Sequence, residues 1–110
     1  MTGFFSHMKK VCTGFFNTLA NKTRLSILYS LQGGEKSVNE IVERTGHEQS
    51  LISHNLKLLR QCNFVEMRVN GKQRMYSLNQ LTIAPLFNLV EKHMTMFCDC
   101  KDAKCLCAGM

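Results

Sequence analysis

The 110-residue sequence predicts a mainly α-helical fold with one β-hairpin, an α+β class. Two observations predict it. Apolar residues recur at three- and four-residue spacings over most of the chain, and two runs of alternating polarity flank Asn70-Gly71. The length suits one domain and is too short for two ordinary ones. Because a core of this size is marginal alone, we also expect the chain to dimerise.

The N-terminal part of the sequence predicts two helices. Met8–Leu19 carries apolar residues on one helical face, as an amphipathic helix does. Asn21 is a suitable N-cap for a second helix, whose apolar face lies within Leu25–Leu31. Gly33-Gly34 should end that helix.

The next segment predicts a helix-turn-helix. Ser37–Glu40 has the Ser-x-x-Glu form of a capping box and opens a short helix that Gly46 closes. A further helix should run from about Glu48 to Cys62. Its inward stripe consists of Ile52, Leu56 and Leu59. Two such helices joined by a short glycine-containing turn form a helix-turn-helix.

The period of the pattern then changes from helical to alternating. Phe64–Val69 and Gln73–Leu78 are two strand-like runs, and Asn70-Gly71 between them favours a hairpin because both residues tolerate positive φ. Pro85 fits the first turn of a last helix, roughly Thr82–Met96. The predicted order α-α-α-α-β-β-α is that of a winged helix-turn-helix with an extra helix at each end.

Charge and composition restrict the function. The formal net charge of +6 favours a polyanionic partner. No run approaches the roughly 20 apolar residues that span a bilayer, and Met1–Lys10 lacks the features of a signal peptide. We therefore expect a cytoplasmic protein without membrane association. The sequence also lacks a glycine-rich phosphate loop and a convincing nucleophile–base pair, so we do not expect an enzyme.

Polar side chains on the second helix of the motif and on the hairpin predict DNA binding. The outer helix face consists of Gln49, Ser50, Ser53, His54 and Lys57. An α-helix fits the major groove, where such groups distinguish base pairs. The hairpin adds Arg68, Lys72, Gln73 and Arg74 for phosphates or the neighbouring minor groove. The alternative is a solvated helix face and a charged edge that prevents strand pairing, but the two features together favour DNA.

Three segments resemble the ArsR/SmtB family of metal-sensing repressors: Asn21–Leu28, Gln49–Arg60 and Gly71–Leu78. The resemblance covers about residues 11 to 95. It implies a homodimer paired through the terminal helices, which binds a palindromic operator in double-stranded DNA and releases it when an inducer ion binds. It also implies that the outer face of the second motif helix occupies the recognition-helix positions.

The sequence departs from the family pattern in two ways. Lys22 replaces a common Pro, and Asn63 replaces the Gly that usually ends the recognition helix; Asn is the next best residue for a left-handed cap. The family's thiolate site needs a Cys within Val38–Thr45, which has none. The acidic and histidine pairs of the family's terminal-helix site are also absent, and only His93 remains near that region. Any sensing must therefore use the C-terminal tail.

Residues 98–110 form a cysteine-rich tail after a DNA-binding and dimerisation domain of residues 1–97. Its thiolates, which suit soft ions such as As(III), Cd(II), Zn(II) or Cu(I), are Cys98, Cys100, Cys105 and Cys107. Cys12 and His93 are further candidate ligands, although Cys12 also fits a core role. We interpret Cys62 as a packing residue. The tail could instead be disordered, with incidental thiols.

These observations predict a homodimeric repressor that a soft metal or metalloid ion releases from its operator. Two alternatives remain. In one, the same fold responds to oxidation or persulfidation of the tail thiols. In the other, the chain is a thiol-based metal carrier that does not act on DNA. Steep salt dependence of DNA binding would distinguish a repressor from a carrier.

Overall fold

A computed structural model describes residues 14–98 and divides the chain into two compact units, the first ending at Asn79 and the second beginning at Gln80. Residues 14–19 are helical and belong to the predicted first helix, α1. No helix within residues 14–98 has both the length and the apolarity that crossing a bilayer requires.

Helix α2 (Lys22–Leu31) begins where the sequence predicts. The side chain of Asn21 accepts a hydrogen bond from the backbone N–H of Arg24 at 3.0 Å and so caps the helix. The helix ends before Gly33-Gly34, as predicted, and Gly34 has a φ of 129° that a side chain would disfavour.

Helix α3 (Val38–Thr45) has both predicted end signals. The backbone N–H of Glu40 donates to Ser37 Oγ at 3.3 Å, and the backbone N–H of Ser37 donates to Glu40 Oε1 at 3.1 Å, which completes the capping box. Gly46 adopts a left-handed φ of 78° and terminates the helix.

Helix α4 (Gln49–Gln61) ends in a Schellman motif centred on Asn63, whose φ is 61°. The N–H of Phe64 donates to the carbonyl of Leu59 at 2.9 Å, as this motif requires. The left-handed cap at Asn63 is therefore confirmed. The interpretation of Cys62 as a packing residue is wrong, because the helix has ended there and Phe64 enters the core instead, leaving Cys62 exposed.

Three antiparallel strands form one sheet in the order β1-β3-β2. Strands β2 (Val65–Asn70) and β3 (Gln73–Leu78) form the predicted hairpin. Strand β1 (Lys36–Ser37) pairs with β3 through Lys36 opposite Tyr76. The sequence did not predict β1, because two residues are too few to show an alternating pattern.

The turn of the hairpin lies one residue later than predicted. Asn70 pairs with Gln73 and belongs to β2, so the two-residue loop is Gly71-Lys72. Gly71 has a φ of 64°, whereas Asn70 and Lys72 on either side of it do not have a positive φ; among residues 14–98, the one non-glycine residue with a positive φ is Asn63. Positive φ at the first loop residue alone is the pattern of a type II′ turn, in which glycine is preferred at the position that Gly71 occupies.

The core of the first unit lies between α2, α3, α4 and the inner face of the sheet. The predicted stripe of Ile52, Leu56 and Leu59 is fully buried. The other buried apolar residues of this unit are Ile27, Leu28, Leu31, Ile41, Phe64, Val65, Tyr76 and Leu78. Helix α4 is thus held from one side, and its opposite side remains open.

The described part of the second unit is mainly the helix α5 (Ile83–Phe97), which confirms the predicted last helix to within one residue at each end. Pro85 lies in its first turn, where a missing N–H costs nothing. Ile83 and Phe87 are buried, whereas several large apolar side chains farther along are exposed.

Candidate nucleic-acid interface

The open side of α4 carries all five helix residues predicted to contact DNA. We call this surface the α4 face; its members, all exposed, are Gln49, Ser50, Ser53, His54 and Lys57. Within residues 14–98, none of their side chains is used in a hydrogen bond or ion pair. Their donors and acceptors are therefore available to a ligand.

A partly buried polar contact joins α4 to α2. Arg24 Nε donates to Asn55 Oδ1 at 3.3 Å, and Arg24 Nη1 donates to the carbonyl of Thr18 at 3.1 Å. Asn55 is 6% exposed and donates through Nδ2 to the carbonyl of Leu51 at 2.9 Å. Asn55 was not among the predicted site residues, although a polar side chain three positions after Ile52 in the apolar stripe was a visible signal.

The hairpin separates its two arginines. Residues paired across antiparallel strands share a face, and successive residues alternate between faces. Arg74 therefore lies on the same face as the buried Tyr76, toward the helices, whereas Arg68, which pairs with Met75, lies on the opposite face. All four predicted hairpin residues are exposed, and Arg68 differs from the other three in lining neither of the two clefts described below.

Arg68 already has an anionic partner. Its Nε donates to Glu35 Oε2 at 2.8 Å, and its Nη2 contacts Glu35 Oε1 in a bidentate ion pair. The hydrogen bond from Arg68 and its positive charge lower the pKa of Glu35, and the same pair raises the pKa of Arg68. Glu35 precedes β1, so this pair joins β2 to the segment that leads into α3.

Two neighbouring clefts bring the α4 face and the hairpin together. The larger, which we call the basic cleft, has a volume of about 440 Å³ and is lined by Val38, Ser53, Lys57, Arg60, Arg74 and Tyr76. The smaller, of about 250 Å³, is lined by Ser37, Val38, Asn39, Gln49, Lys72, Gln73 and Arg74. The fold thus places Lys72, Gln73 and Arg74 beside residues of the α4 face, as the predicted DNA-binding surface requires.

Arg60 and Tyr76 were not among the predicted site residues. Arg60 follows Lys57 by three positions, so it shares a side of α4 with Lys57, and this spacing was visible in the sequence. Tyr76 gave no such signal, since alternation predicts only which face of the strand it occupies.

The predicted metal ligands lie mostly outside the described residues. This applies to Cys12, Cys100, Cys105 and Cys107. Cys98, the last described residue, is half-buried, and the ring of the exposed His93 packs on Phe97 with centroids 5.3 Å apart. Among residues 14–98, no three His, Cys, Asp or Glu side chains are grouped to hold a metal ion.

Known regulators match this chain. The family model described as "Bacterial regulatory protein, arsR family" matches residues 21–67. The chain is 37% identical over 75 residues to the "Probable mercury resistance operon repressor" of Streptomyces lividans, covering 68% of this chain and 60% of that protein. It is 37% identical over 81 residues to the "Biofilm growth-associated repressor" of Xylella fastidiosa strain Temecula1, covering 74% and 68%.

A solved structure matches the fold. It is the solution structure of the homodimeric winged helix-turn-helix DNA-binding domain Mb0332 from Mycobacterium bovis, a possible ArsR-family transcriptional regulator. The match has a TM-score of 0.73 and 31% identity, and it covers 82% of this chain and 83% of that one. The predicted winged helix-turn-helix is confirmed. The family and these relatives are transcriptional regulators rather than enzymes, and the chain belongs to the arsR family of bacterial regulatory proteins.

Proposed function

We propose that this protein is a homodimeric transcriptional repressor that binds a palindromic operator and is released when a soft metal or metalloid ion binds its C-terminal cysteines. The observation that carries the proposal is the position of the α4 face beside the hairpin cations, with every polar group of that face unoccupied within residues 14–98. Two of the relatives are repressors by name.

Base recognition is assigned to the exposed part of α4. Gln49 can make paired hydrogen bonds to adenine, and the hydroxyl of Ser50 can address several base edges. Lys72, at the hairpin tip, is suited to a phosphate or the adjacent minor groove. A twofold partner would repeat these contacts about one duplex turn away, which favours a palindromic operator.

The exposed apolar side chains of α5 support the homodimer. Leu89 and Phe97 are 64% and 72% exposed, and Val90 and Met96 are also exposed. Leu89 and Met96 are seven residues apart, as are Val90 and Phe97, so all four side chains lie on one side of the helix. Large apolar side chains grouped in this way favour burial against a second copy, and the Mycobacterium bovis domain is a homodimer.

The inducer half of the proposal rests on ligand chemistry. Cys98, Cys100, Cys105 and Cys107 offer four soft sulfur ligands within ten residues, with Cys12 and His93 as further candidates. Candidate ions are As(III), Cd(II), Zn(II) and Cu(I); one relative bears the name of a mercury resistance repressor. A coupling free energy of roughly 1–3 kcal/mol would weaken operator binding about 5- to 150-fold.

Two double variants test the two halves separately. After selection of an operator from random duplexes, Ser53→Ala with His54→Ala should weaken operator binding and leave ion binding unchanged. Cys98→Ser with Cys105→Ser should leave operator binding intact and abolish its release by the ion. Cys62→Ser is the matched control, because Cys62 is exposed but lies outside the tail.

Three results would contradict the proposal. If the cysteine double variant is still released by Cd(II) or arsenite, the tail is not the sensor. Release by peroxide, with no response to any of the ions under anaerobic conditions, would assign the tail to thiol oxidation. DNA binding that is insensitive to salt and sequence would indicate a metal carrier instead of a repressor.

A further inference from the structure

The basic cleft contains a concentration of unpaired positive charge. Lys57 and Arg60 enter it from successive turns of α4, and Arg74 enters it from β3. No carboxylate lines the cleft, and within residues 14–98 none of these three cations belongs to an ion pair. Because like charges repel and an anion relieves that repulsion, three cations around one cleft raise its affinity for an anion.

Tyr76 adds an independent indication of a ligand. The residue is 8% exposed, and its hydroxyl has no hydrogen-bond partner among the described residues, although buried phenols usually have one. No described side-chain polar atom is both fully enclosed and unpaired. The hydroxyl therefore keeps access to solvent, and Tyr76 is one of the residues that line the basic cleft.

Two further groups favour an anion there. Ser53 contributes a hydroxyl from the α4 face. Val38 is the first residue of α3, so the positive end of that helix borders the cleft. Helix N-termini bind phosphate groups for this reason.

We propose that the basic cleft holds one phosphodiester group of duplex DNA, with Arg60 and the Tyr76 hydroxyl as its previously unassigned ligands. Lys57 and Arg74 supply the remaining charge, and Tyr76 donates a hydrogen bond to a phosphate oxygen. This inference rests on the proposed function and adds a division of labour to it. The cleft fixes where the backbone lies and carries no sequence information, whereas the rest of the α4 face reads bases.

The test compares Arg60→Gln and Tyr76→Phe with the matched control Arg44→Gln, which removes an exposed charge at the end of α3 away from the cleft. Binding of the selected operator and of a random-sequence duplex of about 30 base pairs, long enough for two half-sites, is measured by fluorescence anisotropy over a range of salt concentrations. Urea denaturation of each variant shows whether the fold is retained.

Arg60→Gln should lower the slope of log K against log salt by about 0.9 for each protomer, and it should weaken both duplexes equally, roughly eightfold per protomer at 0.1 M salt. Tyr76→Phe removes no charge, so it should leave the slope unchanged and weaken both duplexes by roughly tenfold per protomer. Arg44→Gln should match the wild type.

The contradicting outcomes are distinct. If the wild type binds DNA but Arg60→Gln and Tyr76→Phe both behave like Arg44→Gln, the cleft assignment is wrong and the proposed function stands. If the wild type shows no salt-dependent DNA binding, both fail. If inorganic phosphate, titrated at constant ionic strength, binds the wild type but not Tyr76→Phe while duplex affinity is the same in both, the cleft serves a free phosphate and not DNA.

Discussion

Replacing Asn55 by Ala should destabilise the fold without touching the α4 face. Asn55 is buried and accepts a hydrogen bond from the charged Arg24 side chain. Hydrogen bonds to charged groups contribute about 1.5–3 kcal/mol, and the 3.3 Å distance places this one at the low end. Alanine recovers about 0.5 kcal/mol through its higher helix propensity. We therefore expect a loss of about 1 kcal/mol in the free energy of unfolding.

A double-mutant cycle isolates the contact. Arg24→Ala, Asn55→Ala and the double variant are unfolded in urea at one fixed protein concentration, because dimerisation makes apparent stability depend on concentration. Since Arg24 also donates to Thr18, Arg24→Ala should cost more than Asn55→Ala. The double variant should lose about 1 kcal/mol less of the free energy of unfolding than the sum of the two single losses, and this difference is the coupling energy of the contact. Ser53→Ala, an exposed change on the same helix, should stay within about 0.5 kcal/mol of the wild type.

The prediction fails if the loss in the double variant equals the sum of the two single losses to within about 0.3 kcal/mol, because independent sites behave in this way. It also fails if Asn55→Ala is neutral while Ser53→Ala is not. Either result would mean that α4 is held by its apolar stripe alone, and that the Arg24–Asn55 contact does not position the helix.

Four further predictions follow from individual contacts. Asn63→Ala should cost about 1–2 kcal/mol of unfolding free energy because Asn63 has a positive φ, whereas Asn63→Gly should be nearly neutral; urea denaturation measures both. Ser37→Ala should cost about 1 kcal/mol in the same assay, because it removes half of the capping box. The pKa of Glu35 in the folded protein lies below its ordinary value of 4.5, so the ionised carboxyl stabilises the fold above pH 4.5. This stabilisation is lost as the pH falls from 4.5 through the folded pKa. An NMR titration of the Glu35 carboxyl, with and without Arg68→Gln, should show that the pKa shift disappears in the variant. Arg74→Gln should reduce the salt slope of DNA binding by about 0.9 per protomer, whereas Arg68→Gln should leave it unchanged in the same anisotropy measurement.

Local chemistry made much of this fold predictable. The caps at Asn21, Ser37 and Asn63 each depend on one residue and its near neighbours, so the sequence alone indicates them. The stripe of α4 and the hairpin were equally visible, because their periods are regular. The position of the turn was wrong by one residue, since both Asn70 and Gly71 tolerate positive φ and only the register of the strands decides between them.

Contacts between distant residues were not predictable. Arg68 was grouped with the DNA-binding residues because its charge fits, but its partner Glu35 lies 33 positions earlier in the chain. Strand β1 was missed because it is defined by its pairing with β3 and not by its own two residues. Cys62 was interpreted as a packing residue at the end of the recognition helix, but its side chain is exposed, and Phe64, just beyond the turn, is buried instead.

The Glu35–Arg68 pair gives the hairpin two chemically different faces. An exposed ion pair contributes little to stability, so its main effect is on position: it ties β2 to the segment before β1, which continues directly into α3. The basic cleft has walls on both α3 and β3, through Val38 and Arg74. The pairing of β1 with β3 joins these two walls through the backbone, and the Glu35–Arg68 pair adds a second link between the hairpin and the start of α3. One hairpin arginine thus lies outside the cleft in an ion pair, and the other lines the cleft.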